Sequence, residues 1–179
     1  MWYDQLKDID TIVLDVDGVL TDGKLICTPE GEIWRNMQAK DGYAIQSWLK
    51  SGHKLVIITN GGKHGVLKKL EHFGVSLIFH DVRDKGKVLL EFAEANKVDL
   101  QKTLFIGDDI PDYTAMKLCG ISCCPADAMS EIKAISTYIS PIKGGKGCVR
   151  EVIEKVLRIQ DKWFQPNGNE NLTLLSENG

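Results

Sequence analysis

The sequence predicts an α/β protein, a three-layer Rossmann-like sandwich with a parallel central sheet and one small inserted β-hairpin. Two observations predict this fold class. Short apolar runs rich in β-branched residues recur along the chain, and amphipathic stretches of helical period lie between them. Strands that alternate with helices form parallel βαβ units, in which helices cover both faces of the sheet. A length of 179 residues fits one domain of the usual size, roughly 150 residues.

The predicted strands are short and almost entirely apolar. Residues 11–16 (TIVLDV) are nearly continuous in Val, Ile and Leu, as expected for a strand that is buried on both faces. The other predicted strands have a similar composition, and they cover residues 54–59, 76–80, 103–107, 121–124 and 137–140.

Each predicted helix carries an apolar stripe at helical spacing. In the first, Ala44, Ile45, Trp48 and Leu49 share one face, and Gly52 follows as a helix stop. Similar stripes predict helices around residues 66–73, 88–93, 115–118 and 149–157.

One segment, residues 24–37, interrupts the alternation of strand and helix. Pro29, Glu30 and Gly31 lie between two short strand-like pieces, which predicts a β-hairpin inserted directly after the first strand. The domain is expected to span residues 1–163. Residues 164–179 are polar and rich in asparagine, which predicts a flexible tail.

Composition argues against several classes of function. The net charge of −3 and the pI near 5.8 argue against a nucleic-acid-binding protein that relies on positive charge. No apolar run approaches the roughly 18 residues that span a membrane, and residues 1–10 lack the apolar core of a secretory signal. The five cysteines, an odd number, are expected to be reduced thiols in a cytoplasmic protein.

Acidic residues follow two of the predicted strands. Asp15 and Asp17 end the first strand, and Asp108, Asp109 and Asp112 follow residues 103–107. Crowded carboxylates repel each other unless a cation or a proton lies between them, and their oxygens are the ligands that Mg²⁺ prefers. The alternative is a set of solvated turn acids with one helix cap. That alternative explains one acid of the second group but not three.

Two further features suit a phosphate group. Thr59 and the glycine-bearing loop that begins at Asn60 follow the strand 54–59, and a hydroxyl with backbone N–H groups can hold phosphate oxygens, although such loops are also plain turns. A lysine at a helix start opposes the helix dipole, so a buried Lys85 would face an anion. Lys87 competes with Lys85 on local grounds. Together these features fit Mg²⁺-dependent phosphoryl transfer through an aspartate.

The motifs, in this order and spacing, resemble those of the haloacid dehalogenase superfamily of phosphatases. They are DVDGVLTDG, Thr59, Lys85 and GDDIPD, and the spacing of the family selects Lys85 over Lys87. The hairpin, the KDGY turn and the GGKGCVRE segment are similar to the small branch that contains 3-deoxy-D-manno-octulosonate 8-phosphate phosphatases. This similarity extends to about residue 163 and implies that the chain has no large cap domain.

The resemblance implies a catalytic role for four residues. Asp15 is the nucleophile that forms an aspartyl-phosphate. Asp17 protonates the leaving alcohol and then activates the hydrolytic water. Thr59 binds a phosphoryl oxygen, and Lys85 offsets the charge on that group.

The resemblance also implies the ligands of the metal. Asp15 and Asp108 hold Mg²⁺ by their side chains, and Asp17 holds it through its backbone carbonyl. Asp109 and Asp112 orient these ligands and Lys85.

Candidates for binding the rest of the substrate are less specific. They are Thr59, Asn60, Gly61, Lys63, Lys146 and Arg150, with Lys40 as a further candidate. Lys146 and Arg150 suit a substrate carboxylate, but both also read as surface charges at the start of the last helix. Asn60 stands where the branch often has glycine, and residues 61–64 lack an arginine often seen near there. These departures leave the identity of the sugar acid open.

The resemblance implies partners as well as chemistry. Members of the branch are typically homotetramers, whose hairpins build a central barrel and whose neighbouring subunits cover each active site. The implied substrate is 3-deoxy-D-manno-octulosonate 8-phosphate, an intermediate of lipopolysaccharide precursor synthesis. The alternatives are a phosphatase for nine-carbon sugar acid 9-phosphates of the sialic-acid type, and a non-catalytic assembly domain of the same fold. A response-regulator receiver is disfavoured, because receivers carry the acceptor aspartate on a later strand.

Overall fold

The structure, a computed structural model, describes residues 2–63 and 65–165. Within these ranges one sheet contains six strands, all parallel to their neighbours, in the order β5-β4-β1-β6-β7-β8. The strands are β1 (Thr11–Leu14), β4 (Lys54–Ile58), β5 (Leu77–Phe79), β6 (Thr103–Ile106), β7 (Ile121–Cys124) and β8 (Tyr138–Ile139). The predicted fold class is therefore confirmed.

The central position of β1 sets the place of the functional site. The chain runs from β1 to β4 and β5 on one side, then crosses to β6, β7 and β8 on the other. The carboxyl ends of β1 and β6 lie side by side, because Leu14 pairs with Ile106. Ligands of open parallel sheets bind beyond the strand ends at such a reversal of strand order.

Helices cover both faces of the sheet. The helices are α1 (Trp2–Gln5), α2 (Ala39–Lys50), α3 (Gly65–His72), α4 (Lys85–Asn96), α5 (Tyr113–Leu118), α6 (Ser130–Ile135) and α7 (Cys148–Ile159). Side chains of β1 alternate between two cores, as the period of a strand requires. Ile12 and Leu14 join the core under α2, α3 and α7, and Val13 joins the core under α4, α5 and α6. The sequence patterns missed α1 and α6, which have 4 and 6 residues.

The inserted hairpin lies within the predicted segment 24–37. Its strands are β2 (Ile26–Cys27) and β3 (Ile33–Trp34), which pair antiparallel. An isolated bridge between Thr21 and Met37 ties the base of the hairpin to the loop after β1. Four apolar side chains of the hairpin are exposed: Leu25, Ile26, Ile33 and Trp34.

The structure bears on the predicted tail and on membrane-spanning segments only within the described residues. Of the predicted flexible tail, residues 166–179 lie outside the described residues. Among the residues that are described, none of the helices is long and apolar enough to cross a membrane.

Candidate active site

A buried lysine joins two aspartates at the carboxyl edge of the sheet. Asp15 directly follows β1, Lys85 begins α4, and Asp112 ends a short 3₁₀ helix (Ile110–Asp112) beyond β6. The Lys85 Nζ lies 2.8 Å from Asp15 Oδ1 and 2.6 Å from Asp112 Oδ1. All three side chains are buried. The two carboxylates offset the unfavourable position of a lysine in the first turn of a helix.

Asp108 completes the acidic cluster. Carboxylate oxygens of Asp15, Asp108 and Asp112 all lie within 4.8 Å of one another. Asp108 Oδ1 is buried and has no hydrogen-bond partner among residues 2–63 and 65–165. A buried carboxylate oxygen without a partner is costly, and a hard divalent cation with oxygen ligands would satisfy it. The donor set therefore fits Mg²⁺.

The acidity of the cluster supports the same conclusion. Burial raises the pKa of Asp15 to about 7, and the nearby charge of Asp112 adds to the effect, although Lys85 opposes it. Burial raises the pKa of Asp108 to about 8, and the charge of Asp15 contributes next. The carboxylates thus exceed the charge that Lys85 alone can neutralise, and another cation or protons must balance them.

Two motif glycines make room for these carboxylates. Gly18 has φ of +89°, and a Cβ there would lie 2.0 Å from Asp108 Oδ2. A Cβ on Gly107 would lie 2.6 Å from the Cβ of Asp112. Both distances are too short for any real side chain, so glycine at each position lets the carboxylate approach the backbone.

Asp112 and Asp109 shape the loop that carries Asp108. Asp112 Oδ2 accepts hydrogen bonds from the backbone N–H of Asp108 at 3.0 Å and of Asp109 at 3.4 Å. Asp109 is exposed, and its Oδ1 accepts from the N–H of Ile110 at 2.7 Å. Asp112 therefore joins Lys85 to the backbone beside Asp108, while Asp109 caps the 3₁₀ helix.

The Thr59 loop lies at the same edge of the sheet, beyond β4. Thr59 is buried, and its Oγ1 accepts from the N–H of Gly61 at 3.2 Å. Asn60 and Lys63 are exposed and Gly61 is half-buried. The loop is held by the backbone of β5, because the N–H of Thr59 donates to the carbonyl of Phe79 at 2.9 Å.

Asp17 has a partner that the sequence reasoning missed. Arg35, just after β3, donates from Nε to Asp17 Oδ1 at 2.7 Å and from Nη2 to Asp17 Oδ2 at 3.1 Å. The sequence signal was weak, since Arg35 and Lys24 are the basic residues of segment 24–37 and no spacing links either one to Asp17.

The GGKG segment packs against the loop that follows β1. The N–H of Gly145 donates to the carbonyl of Val19 at 3.0 Å. A Cβ on Gly144 would lie 1.8 Å from the carbonyl oxygen of Gly18, so only glycine permits this approach. Lys146 is exposed.

Arg150 lies among aromatic rings rather than in the acidic cluster. Its guanidinium is 5.5 Å from the ring centres of Tyr43 and Trp163, and its Nε is 3.5 Å from Glu154. The backbone N–H of Arg150 donates to Asp41 Oδ1 at 2.8 Å. Asp41 of α2 thereby caps α7, whose own cap residue, glycine, has no side chain to do so.

Comparison with known proteins identifies the family. Residues 68–152 match the family of haloacid dehalogenase-like hydrolases. The 3-deoxy-D-manno-octulosonate 8-phosphate phosphatase of Escherichia coli K12 is 30% identical over 162 residues, which cover 90% of this chain and 86% of that protein. This chain is a haloacid dehalogenase-like hydrolase.

Solved structures of such hydrolases have the same fold. The 3-deoxy-D-manno-octulosonate 8-phosphate phosphatase of Moraxella catarrhalis, solved with magnesium, phosphate and KDO, has a TM-score of 0.86 and 33% identity, covering 89% of this chain and 91% of that chain. The cobalt-bound enzyme of Haemophilus influenzae has a TM-score of 0.84 and 28% identity, covering 88% and 92%.

Proposed function

We propose that this hydrolase is a Mg²⁺-dependent phosphatase that converts 3-deoxy-D-manno-octulosonate 8-phosphate to the free sugar acid and phosphate, in lipopolysaccharide precursor biosynthesis. The convergence of the buried Asp15 and Lys85 with the half-buried Asp108, where the strand order reverses, carries the proposal for the reaction. The names of the relatives from E. coli and M. catarrhalis support the eight-carbon substrate over a nine-carbon sugar acid phosphate. The intact acidic cluster argues against a non-catalytic assembly domain.

Asp15 is the proposed nucleophile. Asp15 and Asp108 would hold Mg²⁺ by carboxylate oxygens and Asp17 by its backbone carbonyl. When bound, Mg²⁺ would neutralise charge on the phosphoryl group and so ease the attack of an anion on it. An Asp15 oxygen attacks phosphorus, the bond to the sugar oxygen breaks, and an aspartyl-phosphate remains. Lys85 keeps Asp15 in place through the 2.8 Å contact and offsets negative charge on the transferring group.

Asp17 is the proposed acid and base. It hands a proton to the leaving sugar oxygen, and it then takes a proton from the water that attacks the aspartyl-phosphate. Thr59 binds a phosphoryl oxygen through its hydroxyl, with the N–H groups of its loop nearby. Phosphate monoesters are among the slowest substrates to react unaided, with catalytic factors of up to ~10²¹, so fixed charges and positioning must supply most of the acceleration.

Recognition of the sugar acid is proposed for exposed or half-buried residues outside the acidic cluster. The candidates are Asn60, Gly61, Lys63 and Lys146, with Lys40 on α2. Arg150 is the weakest of the proposed substrate contacts, since its guanidinium already contacts Tyr43, Trp163 and Glu154.

A homotetramer in the cytoplasm is part of the proposal. The four apolar side chains of the hairpin, among them Trp34 at 58% exposure, form a surface that a second copy of the chain could bury. A neighbour in that position would supply the cover that a phosphatase without a cap domain needs. The five cysteines are free thiols, which supports a reducing compartment such as the cytoplasm.

One set of rate measurements tests this function. The purified chain is assayed on the eight-carbon and nine-carbon sugar acid phosphates, with Mg²⁺ and with a chelator. We expect the eight-carbon substrate to have the higher kcat/KM and the chelator to abolish turnover. Asp15→Asn should lower kcat by at least about 10³-fold, since loss of a nucleophile can cost ~10⁶-fold.

The matched control is Asp99→Asn. Asp99 is exposed and caps a short helix at the opposite end of β6, and asparagine caps as well as aspartate does. This variant should keep full activity. Hydrolysis by Asp15→Asn at the wild-type rate would rule out the proposed mechanism, and a preference for the nine-carbon substrate would rule out the proposed substrate.

A further inference from the structure

Arg35 of the hairpin segment binds the carboxylate of Asp17 through two parallel hydrogen bonds. The Nε and Nη2 of Arg35 bind one Asp17 oxygen each, at 2.7 and 3.1 Å. The Arg35 side chain is only 8% exposed, although it comes from the exposed hairpin, and that of Asp17 is 32% exposed. A bidentate pair of this kind fixes the plane and the direction of a carboxylate, which a single point charge does not do.

Thr21 adds a second connection between the hairpin and Asp17. Its Oγ1 donates to Asp17 Oδ1 at 3.3 Å and accepts from the N–H groups of Gly18 and Gly23. The backbone of Thr21 pairs with Met37, two residues after Arg35. The base of the hairpin and the loop that carries Asp17 therefore share one network of backbone and side-chain contacts.

We propose that Arg35 is a positioning residue, which couples the orientation of the Asp17 carboxyl group to the hairpin. The proposal rests on the proposed function, in which Asp17 serves the leaving oxygen. The residue touches Asp17 and acts through it, so it is distinct from the groups that bind phosphate or Mg²⁺. A shift of the hairpin moves Arg35, and Asp17 moves with it.

Substrates with different leaving groups distinguish a positioning role of Arg35 from a purely structural one. A sugar alkoxide is a poor leaving group and departs only if a well-aimed acid protonates it. A nitrophenolate departs without a proton. Loss of the Asp17 orientation should therefore slow cleavage of alkyl phosphates and leave p-nitrophenyl phosphate largely unaffected. The comparison uses kcat/KM, which reports the steps up to departure of the leaving group and excludes the later attack of water.

The experiment measures kcat/KM for wild type, Arg35→Gln, Arg35→Lys and Asp17→Asn. The substrates are the sugar acid phosphate, a neutral hexose 6-phosphate and p-nitrophenyl phosphate. We expect Arg35→Gln to lower kcat/KM at least about tenfold on both alkyl phosphates and less than about threefold on p-nitrophenyl phosphate, with Arg35→Lys intermediate. Asp17→Asn should show the same selectivity, and adding Arg35→Gln to it should cost little more, since the two residues act as one unit.

Lys24→Gln is the matched control. Lys24 is an exposed cation at the start of the same hairpin, and its loss should leave the rates on all three substrates unchanged. Circular dichroism and thermal melting show that each variant is folded.

Several outcomes would overturn the proposal. They are an equal loss on alkyl and aryl phosphates after Arg35→Gln, no loss, a gain, or a loss confined to the sugar acid phosphate, which would make Arg35 a reader of the substrate carboxylate. If Asp17→Asn is selective and Arg35→Gln is not, the inference about Arg35 alone fails. If Asp17→Asn itself lacks selectivity, the acid role in the proposed function fails, and the role of Arg35 fails with it.

Discussion

Replacing Lys85 by methionine tests the electrostatics of the site most directly. Methionine keeps the length and the apolar stem of lysine but removes the ammonium group. In the folded protein that group lies 2.8 Å from Asp15 and 2.6 Å from Asp112, with all three side chains buried. The substitution therefore leaves two buried carboxyl groups without their shared cation.

The expected cost follows from that burial. Removing one partner of a buried ion pair destabilises a protein by about 3–5 kcal/mol, because the remaining charge stays buried and unpaired. Lys87 provides the comparison on the same helix. Its side chain is 71% exposed and its Nζ lies 3.9 Å from Glu91, a surface pair worth about 0.5 kcal/mol or less. We therefore expect Lys85→Met to cost several times as much stability as Lys87→Met.

The assay is urea unfolding of both variants at pH 5.5 and pH 8 without divalent cations. The charge of Lys85 lowers the pKa of Asp15 in the wild type, so its removal raises that pKa further. At pH 5.5 the folded variant can relieve the charge by taking up a proton, and at pH 8 it cannot do so as fully. The stability lost by Lys85→Met should thus be larger at pH 8.

Two outcomes of the unfolding measurements would contradict this prediction. A loss for Lys85→Met no larger than that for Lys87→Met would contradict the reasoning, as would a large loss that does not depend on pH. Added Mg²⁺ should restore part of the stability, since it supplies positive charge to the same carboxylates.

Two further substitutions test the burial of Asp41 and the proposed role of the hairpin surface in oligomerisation. Burial raises the pKa of Asp41 to about 6 from 3.8, partly offset by the hydrogen bond from Arg150, so the folded protein keeps a proton that the unfolded chain has lost. Between pH 4 and pH 7, the free energy of unfolding of the wild type should therefore fall by up to about 3 kcal/mol relative to that of Asp41→Asn. Denaturant unfolding at several pH values measures this difference. A difference that does not change with pH would contradict the prediction. Trp34→Glu places a charge on the exposed hairpin surface and should convert the proposed tetramer to smaller species in light scattering, with an unchanged circular dichroism spectrum; an unchanged mass would argue that Trp34 lies outside any interface.

The sequence predicted the sheet well and its ends less well. The strand predicted over residues 11–16 ends at Leu14 in the structure, because Asp15 already belongs to the turn that serves the site. The choice between Lys85 and Lys87 needed the family spacing, since both lysines stand in the first turn of α4. Only burial separates them physically, and burial depends on what α4 packs against.

Arg35 shows why part of the site was beyond prediction. It lies 18 residues from Asp17, just beyond the second strand of a hairpin whose direction no local pattern specifies. Arg150 shows the opposite case, since a favourable charge near a glycine turn suggested a substrate contact, but its guanidinium contacts Tyr43 and Trp163.

The alternation of strand and helix and the acidic residues at two strand ends could be recognised from the amino-acid sequence, because burial and turn formation leave local patterns of residue type. The tertiary structure alone decided which carboxylates share one buried lysine, which oxygen of Asp108 is left without a partner, and which arginine holds Asp17. Those contacts join segments that are distant along the chain, and their energies depend on burial and distance, which only the packed fold sets.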